Sequence, residues 1–158
     1  LKPYFNITDE HIAQGMAHVV DLTHLRGRWE IVAQNPLTIC DTGHNVAGWQ
    51  YLSAQLQSII DEGKNVHIVF GMVSDKDISE VIKLLPKQAN YYITQAQIKR
   101  ALSAEKLFDM VAPWVNQCRK FNSVAEAYNE ALSQAKPTDV IFIGGSTFIV
   151  ADFLSNSK

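Results

Sequence analysis

Apolar and polar positions along the chain change period several times, and the changes mark its elements. Over residues 8–20, Ile12, Met16, Val19 and Val20 return at helical spacing behind Thr8, a residue type suited to helix N-termini, which predicts an amphipathic helix. Two short β-prone runs follow, residues 29–33 and 37–40. Gln34-Asn35-Pro36 separates them, and Asn-Pro is a turn signal, so the pair reads as a hairpin or a tight strand-to-strand corner. Residues 46–62 place Leu52, Leu56, Ile59 and Ile60 on one face of a long helix that Gly63 stops. Beyond it the runs 66–70, 91–94 and 140–143 read as buried strands. Helices fill the intervals: one from near Asp77 to before Pro86, one over 103–110, one from a Ser123 cap through Gln134, and one over 147–154. Residues 117–121 read as an edge strand.

Strands that alternate with helices, with the central strands apolar on both faces, predict an α/β fold. The expectation is a single Rossmann-like domain over residues 28–158, with a mostly parallel sheet of about six strands and helices on both faces. Residues 1–27 stand apart as a lead-in helix and linker. A start at Leu1 rather than at methionine fits a segment of a longer chain.

Composition narrows the classes. A length of 158 residues suits one domain, and 47% hydrophobic with 19% charged residues is a globular balance. A net charge of −2 is not the basic footprint of a nucleic-acid binder. There is no apolar run of about 18 residues and no signal peptide, so no membrane partner is expected. Cys40 and Cys118 read as reduced thiols of a cytoplasmic protein.

In open α/β sheets, ligands bind beyond the carboxyl ends of the strands, so candidate chemistry is sought there. After residues 37–40 comes Asp41-Thr42-Gly43-His44-Asn45, an acid, a histidine and an amide in one strand-to-helix turn. Gly43 permits an unusual backbone. Asp41 suits a ribose or a cation, and His44 suits a substrate oxygen or a proton. An equal alternative is that Asp41 or Asn45 caps the helix and His44 lies at its rim. The second strand end is Gly71-Met72-Val73-Ser74-Asp75-Lys76-Asp77, which also reads as a solvated turn with a capping aspartate. The third leads to Arg100, whose fork fits a carboxylate although a lone arginine there is commonly surface. The fourth is Gly144-Gly145-Ser146, which matches neither a dinucleotide fingerprint nor a phosphate loop. No G-x-x-x-x-G-K-[ST] occurs, and the five histidines form no zinc-like spacing with the cysteines.

Taken in order, these stretches resemble the C-terminal domain of folylpolyglutamate and dihydrofolate synthases in the Mur ligase superfamily. Gly27-Arg28, a strand, Asn35-Pro36, a second strand and Asp41-Thr42-Gly43-His44-Asn45 are similar to that family's G-R and D-x-A-H-N unit, with Gly43 in place of alanine. Phe70-Gly71-Met72 with Asp75-Lys76-Asp77-Ile78, then Arg100-Ala101-Leu102, then Gly145-Ser146 follow its weaker motifs. The resemblance covers roughly residues 24–154.

The resemblance implies an enzyme that uses ATP to phosphorylate a pteroate or folate carboxylate, so that the amine of L-glutamate displaces phosphate and forms an amide. It implies Arg28 on the ATP phosphates, Asp41 nearer the adenosine, His44 as the catalytic residue near the reaction centre or the incoming glutamate, and Arg100 and Ser146 on glutamate. Lys76 and Asp77 are placed only near the cleft. It implies an N-terminal ATPase domain that precedes residues 1–27 and carries the phosphate loop and the Mg2+ ligands, so that the segment alone folds but does not turn over. Two alternatives stand beside it. One is another amino-acid ligase of the superfamily; those that take diaminopimelate carry D-N-P-R where this chain has Gln97-Ile98-Lys99-Arg100. The other is a stand-alone nucleotide-binding module.

Overall fold

The computed structural model describes residues 4–74 and 78–156. Six strands share one sheet in the order β1-β2-β6-β3-β4-β5. β1 (Glu30–Gln34) and β2 (Leu37–Asp41) form an antiparallel hairpin about Asn35-Pro36, whose peptide bond is cis. The other neighbours run parallel: β2 with β6 (Val140–Gly144), β6 with β3 (Val66–Phe70), β3 with β4 (Asn90–Ile93), and β4 with β5 (Gln117–Lys120) at the far edge. This is the mostly parallel α/β sheet that the alternating pattern predicts.

All five residues of β3 and all five of β6 are buried, because each strand is covered on both faces. Ile68, Phe70 and Phe142 meet Trp49, Leu52 and Leu56 of α3 (Val46–Asp61) in one cluster, which α4 (Ser79–Leu84) and α5 (Ala104–Val111) extend. The Trp49 ring stands edge-on to Phe70, with centroids 5.3 Å apart. Val69, Ile141 and Ile143 point the other way, to α6 (Val124–Gln134) and α7 (Thr147–Asn156). Each such side chain contributes roughly 1.5–3 kcal/mol by leaving water. A 3-10 turn, Ala112–Trp114, links α5 to β5.

The helix expected over residues 8–20 is two helices, α1 (Asp9–Ala17) and α2 (Val19–Thr23), divided at His18. Thr8 caps the first as expected, its hydroxyl accepting from His11 N. None of the residues of either helix is buried, and Ile12, Met16, Val19 and Val20 are exposed. The helical period marks a face, but no described element lies against it. A beginning near Asp77 falls outside the described residues; the helix that follows begins at Ser79.

The topology sets where a ligand can enter. β2 is followed by α3 on one face of the sheet, whereas its neighbour β6 is followed by α7 on the other. Their outgoing loops therefore part company at the carboxyl end, where Asp41, Gly144 and Phe70 stand in register. Gly145, at φ +100, lets the loop after β6 pass closely: a Cβ there would lie 2.5 Å from the Gly71 carbonyl oxygen. A crevice beside such a parting is the usual ligand site of open α/β sheets.

Candidate functional site

Asp41, the last residue of β2, uses both carboxylate oxygens on backbone. Oδ2 accepts from Trp29 N at 2.7 Å and Oδ1 from Gly43 N at 2.7 Å. It thereby ties the segment before β1 to the turn after β2. Asn45, not Asp41, caps α3: its Oδ1 accepts from Gly48 N at 2.8 Å. The capping alternative thus belongs to Asn45 alone. Gly43 does not take the left-handed backbone that a glycine there suggests. What it leaves room for is Leu52, whose Cδ1 would lie 2.6 Å from an added Cβ.

Arg28 arrives from the hairpin side, and its Nη1 donates to the Thr42 hydroxyl. Thr42 N donates to the Gly27 carbonyl at 2.9 Å. His44 Nδ1 lies 3.0 Å from the Thr42 carbonyl. A carbonyl oxygen only accepts, so Nδ1 carries the proton, and in the neutral ring Nε2 holds the lone pair. Arg28, Asp41 and His44 meet with Trp29, Tyr51 and Gln55 around a cleft of about 470 Å³.

His44 is also a wall of a second cleft, of about 280 Å³, with Val73, Arg100, Ser146 and Phe148. Arg100 is placed there by two loops that pair with each other. Val73 bridges Ala101, Ser74 N donates to the Arg100 carbonyl at 2.8 Å, and Leu102 N donates to the Met72 carbonyl at 3.0 Å. The Arg100 guanidinium lies 5.7 Å from the centroid of the Phe148 ring. Ser146 is 2% exposed, and its Oγ accepts from Ile149 N at 3.2 Å, so it acts first as the cap of α7. Lys76 and Asp77 lie outside the described residues.

The five candidate residues therefore fall around two clefts with one histidine between them. Thr42, Trp29 and Phe148 were not singled out from the sequence. Thr42 fills the unspecified position of the motif, and only the folded turn reveals its bonds. Among the described residues, no three His, Cys, Asp or Glu side chains gather as a metal site.

A family model, described as "Mur ligase, glutamate ligase domain", matches residues 27–147. The dihydrofolate synthase/folylpolyglutamate synthase of Buchnera aphidicola subsp. Schizaphis graminum is 31% identical over 137 residues, 86% of this chain and 32% of that protein. Its Escherichia coli K12 counterpart is 30% identical over 92% of this chain and 32% of its own length. Among solved structures, Escherichia coli FolC in complex with DHPP and ADP superposes with a TM-score of 0.80 at 28% identity, over 94% of this chain and 34% of that one. A bifunctional folylpolyglutamate synthase/dihydrofolate synthase with Mn, AMPPNP and L-glutamate bound gives 0.76 at 31% identity, over the same 94% and 34%. The chain thus spans about a third of the length of the relatives it matches.

Proposed function

This chain belongs to the Mur ligase glutamate-ligase domain family, and from that premise we propose that it is the C-terminal domain of an ATP-dependent ligase that joins L-glutamate to dihydropteroate or a folylpolyglutamate. The observation that carries the reading is the shared wall: His44 lines both the cleft of Arg28 and Asp41 and the cleft of Arg100 and Ser146. Such a ligase must bring an acyl phosphate and an amine together, and a single side chain between two clefts suits that meeting.

In the proposed reaction, ATP phosphorylates the substrate carboxylate. The amine of glutamate attacks the acyl carbon, the carbon–oxygen bond to phosphate breaks, and phosphate leaves. Arg28 lies on the phosphate side, where its charge offsets the phosphoryl oxygens. Asp41 lies nearer the adenosine. Arg100 holds a carboxylate of the incoming glutamate as a two-pronged donor, and the Ser146 hydroxyl proton is available to the same group. His44, protonated at Nδ1, offers the Nε2 lone pair and so receives a proton from the amine as the amide forms.

The lining offers magnesium a single carboxylate, Asp41, whose two oxygens already accept backbone N–H groups. The octahedral oxygen set that magnesium requires is not built from these residues. The reading therefore includes a preceding ATPase domain of the same chain that supplies the phosphate loop and the metal ligands, joined through residues 1–27. The reading includes a cytoplasmic location. Among the described residues no helix is long and apolar enough to cross a membrane.

Isothermal titration with MgATP tests the proposal. Binding that is weak or absent in this chain, appears when the preceding domain is joined to it, and falls with Asp41→Ala is the expected result. Tight binding by this chain alone, indifferent to Asp41→Ala, would withdraw the assignment of these residues. So would turnover by this chain alone with ATP, glutamate and a pteroate.

A further inference from the structure

Thr42 is 8% exposed and makes polar contacts through three of its atoms, each to a different residue. Its hydroxyl accepts from Arg28 Nη1. Its amide donates to the Gly27 carbonyl at 2.9 Å, and its carbonyl lies 3.0 Å from His44 Nδ1. Its methyl faces Gly27, where an added Cβ would stand 2.8 Å from Thr42 Cγ2. Both Arg28 and His44 are held through this one residue.

We infer that Thr42 is a positioning residue for the reaction, its hydroxyl orienting the Arg28 guanidinium and its carbonyl selecting the His44 tautomer. The inference rests on the ligase reading for its catalytic consequence, but not for its geometry. An arginine side chain carries several rotatable bonds, and a fixed acceptor removes most of that freedom before any anion arrives. A threonine supplies the acceptor from a short, β-branched side chain that is itself stiff at χ1. The carbonyl acts separately. Because it demands a proton on Nδ1, it leaves Nε2 as the acceptor of the neutral ring. The hydroxyl and the carbonyl can thus be tested apart, since a side-chain substitution removes only the first.

The comparison is of Thr42→Val, which keeps the shape and loses the acceptor, with Thr42→Ser, which keeps the acceptor and loses the methyl. In the full-length ligase that contains this domain, Thr42→Val is expected to raise the KM for ATP about tenfold, the low end for a lost hydrogen bond to a charged group. The KM for glutamate stays within about twofold, the kcat pH profile keeps its shape, and Thr42→Ser restores the ATP KM. A purely structural loss would move both KM values together and would not be rescued. In this chain by itself, nitrogen-15 NMR reads the two groups directly. Arg28 Nη rotation is expected to be slow in the wild type and in Thr42→Ser and fast in Thr42→Val, while His44 shows the Nδ1–H tautomer in all three. Serine no better than valine, or identical Arg28 signals in wild type and Thr42→Val, overturns the role of the hydroxyl. An Nε2–H tautomer overturns that of the carbonyl. A full-length protein without ligase activity would defeat the functional reading while the NMR outcomes still decide the geometry.

Discussion

Gly27 and Thr42 occupy adjoining space so closely that each limits the other. Gly27 sits at φ +69, and a Cβ added there would stand 2.8 Å from Thr42 Cγ2 and 3.2 Å from Val150 Cγ1. Gly27→Ala is expected to cost about 1–3 kcal/mol, from the left-handed backbone and the crowding together. Thr42→Ser removes the nearer methyl, so the double variant should be less destabilised than the sum of the single ones by at least about 0.5 kcal/mol. Urea unfolding of the four proteins measures the difference, and strict additivity would mean that the strain is all backbone. At this scale the sequence was informative where side-chain chemistry is unusual for its place. Arg28, Asp41 and His44 stand out by residue type beside a strand end. Thr42 does not, because an isolated threonine in a turn has no period and no distinctive charge. Gly43 misled for a related reason: a glycine signals missing volume, but not whether the backbone or a neighbour such as Leu52 uses the space.

Element ends were legible because capping is local. Ser103 and Ser123 accept from Lys106 N and Glu126 N, as their positions imply, and Gly63 ends α3 at φ +85. The Asn45 cap is consequential because the same turn carries His44. Asn45→Ala is expected to lower stability by about 1 kcal/mol in urea unfolding, and a loss below about 0.3 kcal/mol would show the cap to be redundant. Element burial was less legible. The periodicity of residues 8–20 is a property of the chain, whereas burial needs a second surface, and α1 and α2 meet none among the described residues. Met16 and Leu22 remain 73% and 71% exposed. Limited proteolysis should therefore cut within residues 8–23 before it cuts the sheet, and joining the proposed preceding domain should slow that cleavage. Equal protection of both regions in this chain alone would show that the lead-in is already held.

At the scale of the whole molecule, the two ends of the parallel strands differ in chemistry. The carboxyl ends carry the two clefts. Near the amino ends, His67 of β3 is buried, with Nδ1 2.9 Å from the Tyr92 hydroxyl and Nε2 3.5 Å from Asp139 Oδ2. Burial pushes the His67 pKa below 6.5, outweighing the pull of Asp139. Burial pushes Asp139 up, but hydrogen bonds from Lys136 N and Asn65 Nδ2, with the nearby His67 ring, outweigh it and hold the carboxyl below 3.8. Both groups bind protons more readily in the unfolded chain, so both destabilise the fold in acid. Their contribution is complete above pH 6.5. The His67 part is lost as pH falls below that value through its lowered pKa, and the Asp139 part as pH falls below 3.8. The melting temperature should thus decline on acidification from neutrality, and His67→Gln should flatten the part of the decline that begins as pH falls below 6.5. An unchanged slope in that variant would assign the sensitivity elsewhere. The order of strands in the sheet could not be read from the alternation of elements, since β6, last in the chain, enters between β2 and β3; that depends on long-range packing which local pattern does not encode. At the other end, the single imidazole between the clefts has an energetic consequence. An occupant of either cleft that shifts this ring changes the space left to an occupant of the other. Whatever factor the occupant beside Arg28 imposes on the affinity of the occupant beside Arg100 must be returned unchanged in the opposite direction. Replacing His44 with alanine removes that shared wall, so the factor is expected to approach one in both directions.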